Sequence, residues 1–317
     1  MHGLRKLAVA AVGALTLLVT FVALLTTAYQ DPKPNGVDVA VAGPPGVERQ
    51  LRERVDRAGV GVAFVSAASP AAARQDVLER EVEAALLVDA RGPRLLIAGA
   101  ASLMQAQAVE ALVGRAVAAG GARLAVEDVR PLPEHDSRGL ASVFLAFGVA
   151  VPSFLFGALL WVLGGSVSPR EITGVLLAFA ATAGLLAAFT VDTLIGALDG
   201  AFWEIAGIAA LLTAAVAGAV SGLGRLTGPG GMALAAFVVL LLGQASSGGP
   251  VGNLMLPDFY KALSHALPTG SAISALRDTI YFEGQQALVP ILVLAAWATG
   301  GIAALFAGRY RGPLHAA

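Results

Sequence analysis

The sequence predicts a polytopic α-helical membrane protein of six spans, arranged one plus five, with a small extracytoplasmic α/β domain between the first two spans. Two observations carry that expectation. Apolar runs of about 20 residues, the length that crosses a bilayer, recur along the chain. Charge is segregated: of the 43 Asp, Glu, Lys and Arg residues, 28 lie between Asp31 and Arg138, leaving 15 for the other two-thirds. The composition agrees, at 56% hydrophobic and 14% charged with a mean hydropathy of +0.75, where soluble domains carry roughly a quarter charged residues. A net charge of −1 leaves no basic footprint for nucleic acid. The chain has no cysteine. Disulfides and thiolate chemistry are therefore excluded, and the charged domain must be held by its core alone.

The first apolar run is Leu7 to Tyr29, after Arg5 and Lys6. A cleaved signal peptide is the competing reading, but its apolar core spans about 7–15 residues and ends in small residues. This run is longer and ends Thr26-Thr27-Ala28-Tyr29-Gln30, so it is read as an uncleaved span within residues 1–30. The linker Asp31-Pro32-Lys33-Pro34-Asn35-Gly36 follows.

Residues 31–139 read as the α/β domain. Val37, Val39 and Val41 alternate as in a strand. Val47, Leu51 and Val55 recur at helical spacing. Val60 to Val65 is a second strand. Ser69-Pro70 is an N-cap with proline at the first helical position, opening a helix with Val77, Val82 and Ala85 facing inward. Leu86-Leu87-Val88 and Leu95-Leu96-Ile97 are short buried strands around the turn Arg91-Gly92-Pro93. Ser102 with Gln105 resembles a capping box, and Gly120-Gly121 ends the helix it opens. Leu124 to Val129 is the last strand. The order is β-α-β-α-β-β-α-β.

Residues 140–317 return to the bilayer. The expected spans are Leu140–Leu163, Ile172–Val191, Phe202–Val220, Met232–Leu242 with its flanks, and Ala287–Phe306. Arg5, Lys6, Arg170, Arg225, Arg309 and Arg311 then fall on one side. Asp192, Asp199, Glu204, Asp258, Asp278 and Glu283 fall on the other, with Lys261 and Arg277. That asymmetry predicts a plasma-membrane protein with both termini cytoplasmic. Ala214, Gly218 and Gly222 form a ridge of small residues, read as helix packing. Pro152 should kink the second span.

A long outer loop, residues 243–286, is too apolar to be free. Phe259, Tyr260, Leu263 and Leu267 share one helical face, and Ile273, Leu276 and Ile280 share another. Two amphipathic helices at the interface fit this pattern, as does a helix-turn-helix dipping into the bundle. The stretch Gly243-Gln244-Ala245-Ser246-Ser247-Gly248-Gly249 and the run Leu256-Pro257-Asp258-Phe259, Leu267-Pro268, Leu276-Arg277 and Tyr281-Phe282-Glu283-Gly284 resemble the phage-infection-protein (YhgE/Pip) group. So does Arg138-Gly139-Leu140 entering the second span. That group belongs with the ABC-2-type membrane domains. The resemblance implies one span, an extracytoplasmic α/β domain and five further spans. It also implies export of, or resistance to, small hydrophobic compounds. An ATPase subunit and a second copy of the chain are the expected partners beside the lipid. The chain departs from such permeases in two places: only six residues precede the first apolar run, and the segment Gly164 to Glu171 is short. No phosphate-binding loop occurs, so no nucleotide hydrolysis and no enzymatic activity is expected of this chain.

Residues that would line a substrate pathway are Gln244, Ser246, Ser247, Asp258, Lys261, Arg277 and Asp192. Asp192, Asp199 and Glu204 cluster where two spans meet. A proton relay is the functional reading, and solvated loop acids the favoured one. Trp203 beside them reads as an interfacial anchor. Asp258 with Lys261, and Arg277 with Asp278, are candidate ion pairs pinning the outer loop. Gln244, Ser246 and Ser247 would either bond a ligand or satisfy a broken helix end. His2, His135, His265 and His315 are scattered, so no metal is expected. No cofactor is expected, and no serine sits in a nucleophile elbow. Glu134-His135-Asp136 reads as a solvated turn.

Two function classes remain open at this point. One is an export component for hydrophobic or amphiphilic compounds. The other is a receptor or scaffold acting through the α/β domain. A half-sized proton-driven pump shares the one-plus-five layout, but would need a larger outer domain and acids deep in a span.

Overall fold

A computed structural model describes residues 2–44, 46, 49, 52–53, 61–198 and 200–308. The expected helix over Val47–Val55 lies largely outside them, as do Asp199, Arg309, Arg311 and His315.

Among the described residues five helices are long and apolar enough to cross a membrane, which points to a membrane location. They are α1 (His2–Tyr29), α4 (Ala141–Leu163), α5 (Pro169–Ala188), α6 (Phe202–Thr227) and α10 (Leu288–Ala307), with the α/β domain and its helices α2 (Pro70–Leu78) and α3 (Leu103–Ala118) between the first two. The expected span around Met232–Leu242 is shorter. Here α7 (Pro229–Ala235) widens into π-helical turns over Ala236–Leu242 and closes with Gly243–Ala245, 17 residues in all. The end of α5 widens in the same way over Phe189–Leu194. Helix α5 opens with a full capping box between Ser168 and Glu171.

Helix α6 is the centre of the bundle. Sixteen of its residues are buried, and α4, α5 and α10 all pack on it. Glycines allow the approach. A Cβ built on Gly157 of α4 would lie 2.7 Å from the Ala217 carbonyl oxygen, and one on Gly301 of α10 would lie 2.7 Å from that of Gly218. The ridge Ala214, Gly218 and Gly222 is thus the seat of α10, a packing role.

The α/β domain is a five-stranded sheet of order β2-β1-β3-β4-β5. Its strands are β1 (Asn35–Ala42), β2 (Gly61–Ser66), β3 (Ala84–Asp89), β4 (Gly92–Ile97) and β5 (Ala125–Asp128). Only the β3–β4 pair is antiparallel. Its turn is Ala90-Arg91, one residue earlier than expected, with the Asp89 carboxylate accepting from Arg91 N at 2.7 Å. Helix α2 (Pro70–Leu78) has the expected Ser69 cap and N1 proline, but is short enough that Ala85 belongs to β3. Helix α3 (Leu103–Ala118) is capped by Ser102 alone. The reciprocal half of the expected capping box is not made, and the Gln105 side chain is buried instead.

The two helices cover opposite faces of the sheet. Val109, Val113 and Val117 of α3 meet Val37, Val39, Phe64 and Leu86. Ala73 and Val77 of α2 meet Ala40, Ala85, Leu87 and Leu96. The second core includes Phe282, 1% exposed, from the far end of the chain.

Candidate functional site

The segment 243–286 packs on α1, α4, α6, α10 and the α/β domain. After the 3-10 turn Asn253–Met255 come α8 (Asp258–Ala266) and α9 (Pro268–Tyr281), separated by Leu267 alone. Ten of the fourteen α9 residues are buried, against α10, α6 and α4. The pair is therefore a helix-turn-helix packed on the bundle. Trp297 Nε1 closes the end of α8 by donating to the Ala266 carbonyl at 2.8 Å. On α8 the inward residues are Tyr260 and Ser264, while Phe259 is 60% exposed. Of the expected apolar face, Tyr260 and Leu267 are buried and Leu263 half-buried, and Phe259 alone points out.

The charged residues of this segment face the α/β domain. Neither expected ion pair, Asp258–Lys261 or Arg277–Asp278, forms among the described residues. Asp258 accepts from Asn35 Nδ2 at 2.8 Å, and Lys261 Nζ donates to the Asn35 carbonyl at 2.7 Å. Asp278 pairs with Arg80, whose guanidinium also lies 5.1 Å from the centre of the Phe282 ring. Arg80 holds a positive φ of 61°, a conformation few non-glycine residues adopt. Arg130 reaches Glu283 at 2.7 Å. Burial raises the pKa of Asp278, and Arg80 partly opposes that.

Arg277 is 8% exposed and bonds carbonyls rather than a carboxylate. Its Nη2 donates to Gly249 O at 2.9 Å and Gly139 O at 3.2 Å. Burial pushes its pKa down to about 10, with Arg80 adding to the effect and Tyr281, Asp136 and Asp278 opposing it, so it stays charged at neutral pH. Asp136 is buried, against the expectation of a solvated turn. It accepts from Leu140 N at 2.9 Å and Ala141 N at 3.1 Å, capping α4. An acid just before an apolar helix was the signal available for this role.

Ser246 donates to Leu242 O at 2.7 Å and Ser247 to Gln244 O at 2.9 Å. Both hydroxyls finish the broken helix end. Gln244 is 9% exposed and its Oε1 has no partner. Asp192 lies apart from the rest. It closes its own turn by accepting from Gly200 N at 3.0 Å and Thr193 Oγ1 at 3.2 Å. Glu204 and Trp203 are exposed, Trp203 by 74%.

Two cavities flank this junction. A polar cleft of about 590 Å³ lies between Arg80, Glu81 and Glu83 of the domain and Ser271, Asp278 and Pro290 of the helices. Burial raises the pKa of Glu83, although Asp38 N donates to it at 2.8 Å. The other cavity, about 550 Å³, is apolar and opens between α4 and α5. These helices both pack on α6 and touch each other through the stacked rings of Phe156 and Phe179, 3.8 Å apart. Gly148, Pro152, Phe144, Phe179 and Ala183 line it, with the π-helical Thr190 and Val191 at its end. Pro152 removes the amide that the Gly148 carbonyl would accept from. The two hydroxyls in the lining are used: Ser153 donates to Val149 O and Thr190 to Leu186 O, both at 2.7 Å. No local pattern marks this cavity, because it depends on how far α4 and α5 splay as they pack on α6.

Comparison with protein families, with curated proteins and with solved structures finds no match to this chain.

Proposed function

We propose that this chain is the membrane component of an exporter for small hydrophobic or amphiphilic compounds, on the plan of the YhgE/Pip group and the ABC-2-type membrane domains. The α4–α5 cavity carries the reading. Its volume of about 550 Å³ falls in the range of roughly 300–1,000 Å³ typical of small-molecule sites. Its hydroxyls are already satisfied, so it suits an apolar guest that enters sideways from lipid. Exposed Phe144, Leu186 and Ile195 at its rim suit the same route.

In this reading α7 with its π-helical extension is the sixth span. Its 17 residues lie at the lower end of the roughly 17–25 that cross a bilayer. Arg5, Arg170 and Arg225 then lie at one end of the bundle, which faces the cytoplasm of a plasma membrane. Both termini share that side and the α/β domain is extracytoplasmic. The chain is a permease rather than an enzyme, working as a homodimer with a separate ATPase subunit.

Expression should lower cellular accumulation of an amphiphilic dye. Gly148→Leu should abolish that effect, because a Cβ at Gly148 meets nothing within 4 Å and the longer side chain fills the cavity without disturbing the fold. Unchanged accumulation across several dyes, with the protein confirmed in the membrane, would sink the proposal. A receptor or scaffold is the second reading. It is favoured by the short turn between α4 and α5, Gly164–Ser168, which gives an ATPase little to grip. Affinity purification in mild detergent separates the two, since a stoichiometric ATPase appears only with an exporter.

A further inference from the structure

The polar cleft between the α/β domain and the outer helices holds more negative charge than its own groups balance. Arg80, Glu81 and Glu83 stand on the domain side, Asp278 and His265 on the helix side. Arg80 is committed to Asp278. Among the described residues Glu81 and Glu83 have no ion pair. Glu83 accepts from Asp38 N at 2.8 Å, which supplies a dipole but no charge, and the Asp38 carboxylate repels it. His265 adds no cation. Burial holds its imidazole below the usual value, Lys261 adds to that, and Asn253 Nδ2 lies 3.3 Å from its Nε2. Lys261 itself directs Nζ to the Asn35 carbonyl, 2.7 Å away. Two carboxyl groups of the cleft are therefore left without a counter-charge.

The form of the cleft decides what kind of cation would balance them. Its volume of about 590 Å³ is that of a small-molecule site, and it lies where two structural units meet, a common place for one. A bare metal ion needs oxygen or imidazole ligands gathered round one point. Among the described residues no three acids or histidines are so gathered. The charge is spread along one wall instead, while Leu254, Val289 and Pro290 give an apolar wall. Val289 is 65% exposed and Glu81 is exposed, so both walls can be reached from outside.

We propose that the cleft between the α/β domain and α8–α10 binds a small organic ammonium ion, with its charge on Glu81 and Glu83 and its apolar portion against Leu254, Val289 and Pro290. The ammonium donates charge-assisted hydrogen bonds to the carboxylates. A neutral compound of the same shape keeps only the apolar contact, and an anion meets like charge. None of the residues lining this cleft lines the α4–α5 cavity, so the site stands whether or not the chain exports anything.

The test uses the purified full chain in detergent at about 0.15 M salt, which screens diffuse surface attraction. Addition of 2-phenylethylamine should raise the thermal midpoint. Neither 2-phenylethanol, of the same shape without the charge, nor 3-phenylpropionate should do so. Glu81→Gln, at an exposed position, should weaken amine binding about threefold, the scale of an exposed ion pair. Adding Glu83→Gln, which keeps an acceptor for Asp38 N, should bring the loss to about tenfold or more. Glu134→Gln, outside the cleft, should bind the amine as the wild type does. No shift with the amine, or an equal shift with the alcohol, would overturn the proposal. So would undiminished binding to Glu81→Gln, or an equal loss in Glu134→Gln, which would mark diffuse attraction to surface acids.

Discussion

Helices α1 and α6 are both long and apolar, yet 6% of one and 83% of the other is buried inside the protein. Apolarity decides that a helix enters lipid. It does not decide what the helix touches there, because lipid tails and leucine side chains are equivalent solvents. Small residues make that choice. Helix α6 reads Ala-Gly-Ile-Ala-Ala and Ala-Ala-Val-Ala-Gly-Ala along its length, and three helices come within backbone contact of it through Gly157, Gly184 and Gly301. Helix α1 carries Leu and Val at the corresponding depth and meets lipid instead. What holds α1 sits at one end: Ala28 packs with Ala245, Val251 and Met255, and Thr27 Oγ1 and Tyr260 Oη are 2.6 Å apart.

The contrast can be broken first at Gly301. Gly301→Leu should prevent the α6–α10 contact, at a cost of about 3 kcal/mol or more, seen as loss of the monodisperse peak in size-exclusion chromatography after mild heating. A normal profile would mean that α6 is not packed through its glycines. Phe282→Ala comes next, at about 3 kcal/mol. It should loosen the α/β domain to protease while leaving α6 protected from hydrogen exchange. Equal loss in both regions would show that they fold as one cooperative unit. Tyr260→Phe removes the bond to Thr27 and should cost about 0.6 kcal/mol, a typical hydrogen bond between membrane helices. Spin labels on α1 and α8 would report the loosening as a broader distance distribution, and an unchanged distribution would assign the hold to other contacts. Gly13→Leu, where a Cβ meets nothing within 4 Å, should shift the thermal midpoint by less than about 0.5 kcal/mol equivalent. A larger loss would place an unseen partner against α1.

The sequence read well where a local rule suffices. Alternating valines gave β1, Ser69-Pro70 gave the start of α2, and apolar length gave α1, α4, α5, α6 and α10. It failed where two distant segments choose each other. Arg80 and Asp278 are 198 residues apart, and nothing local distinguishes that pairing from Arg277 with Asp278. Phe259 and Tyr260 are adjacent, so helical spacing admits either as the inward residue. Tyr260 is chosen by the Thr27 hydroxyl, a partner that periodicity does not contain. Of the pathway residues, Asp192, Ser246, Ser247, Asp258, Lys261 and Arg277 are all bonded within the protein, and Gln244 alone keeps a free acceptor. The α4–α5 cavity was illegible for a related reason, since it is set by how two helices splay beyond the aromatic contact of Phe156 on Phe179.

Phe282 in the sheet core has a consequence for the order in which the molecule is made. The strands leave the ribosome long before the residue that completes their second face. Thr27 likewise waits 233 residues for Tyr260. At about 5–20 residues per second, that delay is about 10–50 s. For that interval α1 stands in the bilayer without its partner, and the sheet, ended at Asp128, waits a further stretch of chain for Phe282 to fill the face that α2 covers in part. The nascent chain is therefore most exposed to proteases and chaperones between the emergence of β5 and that of α9.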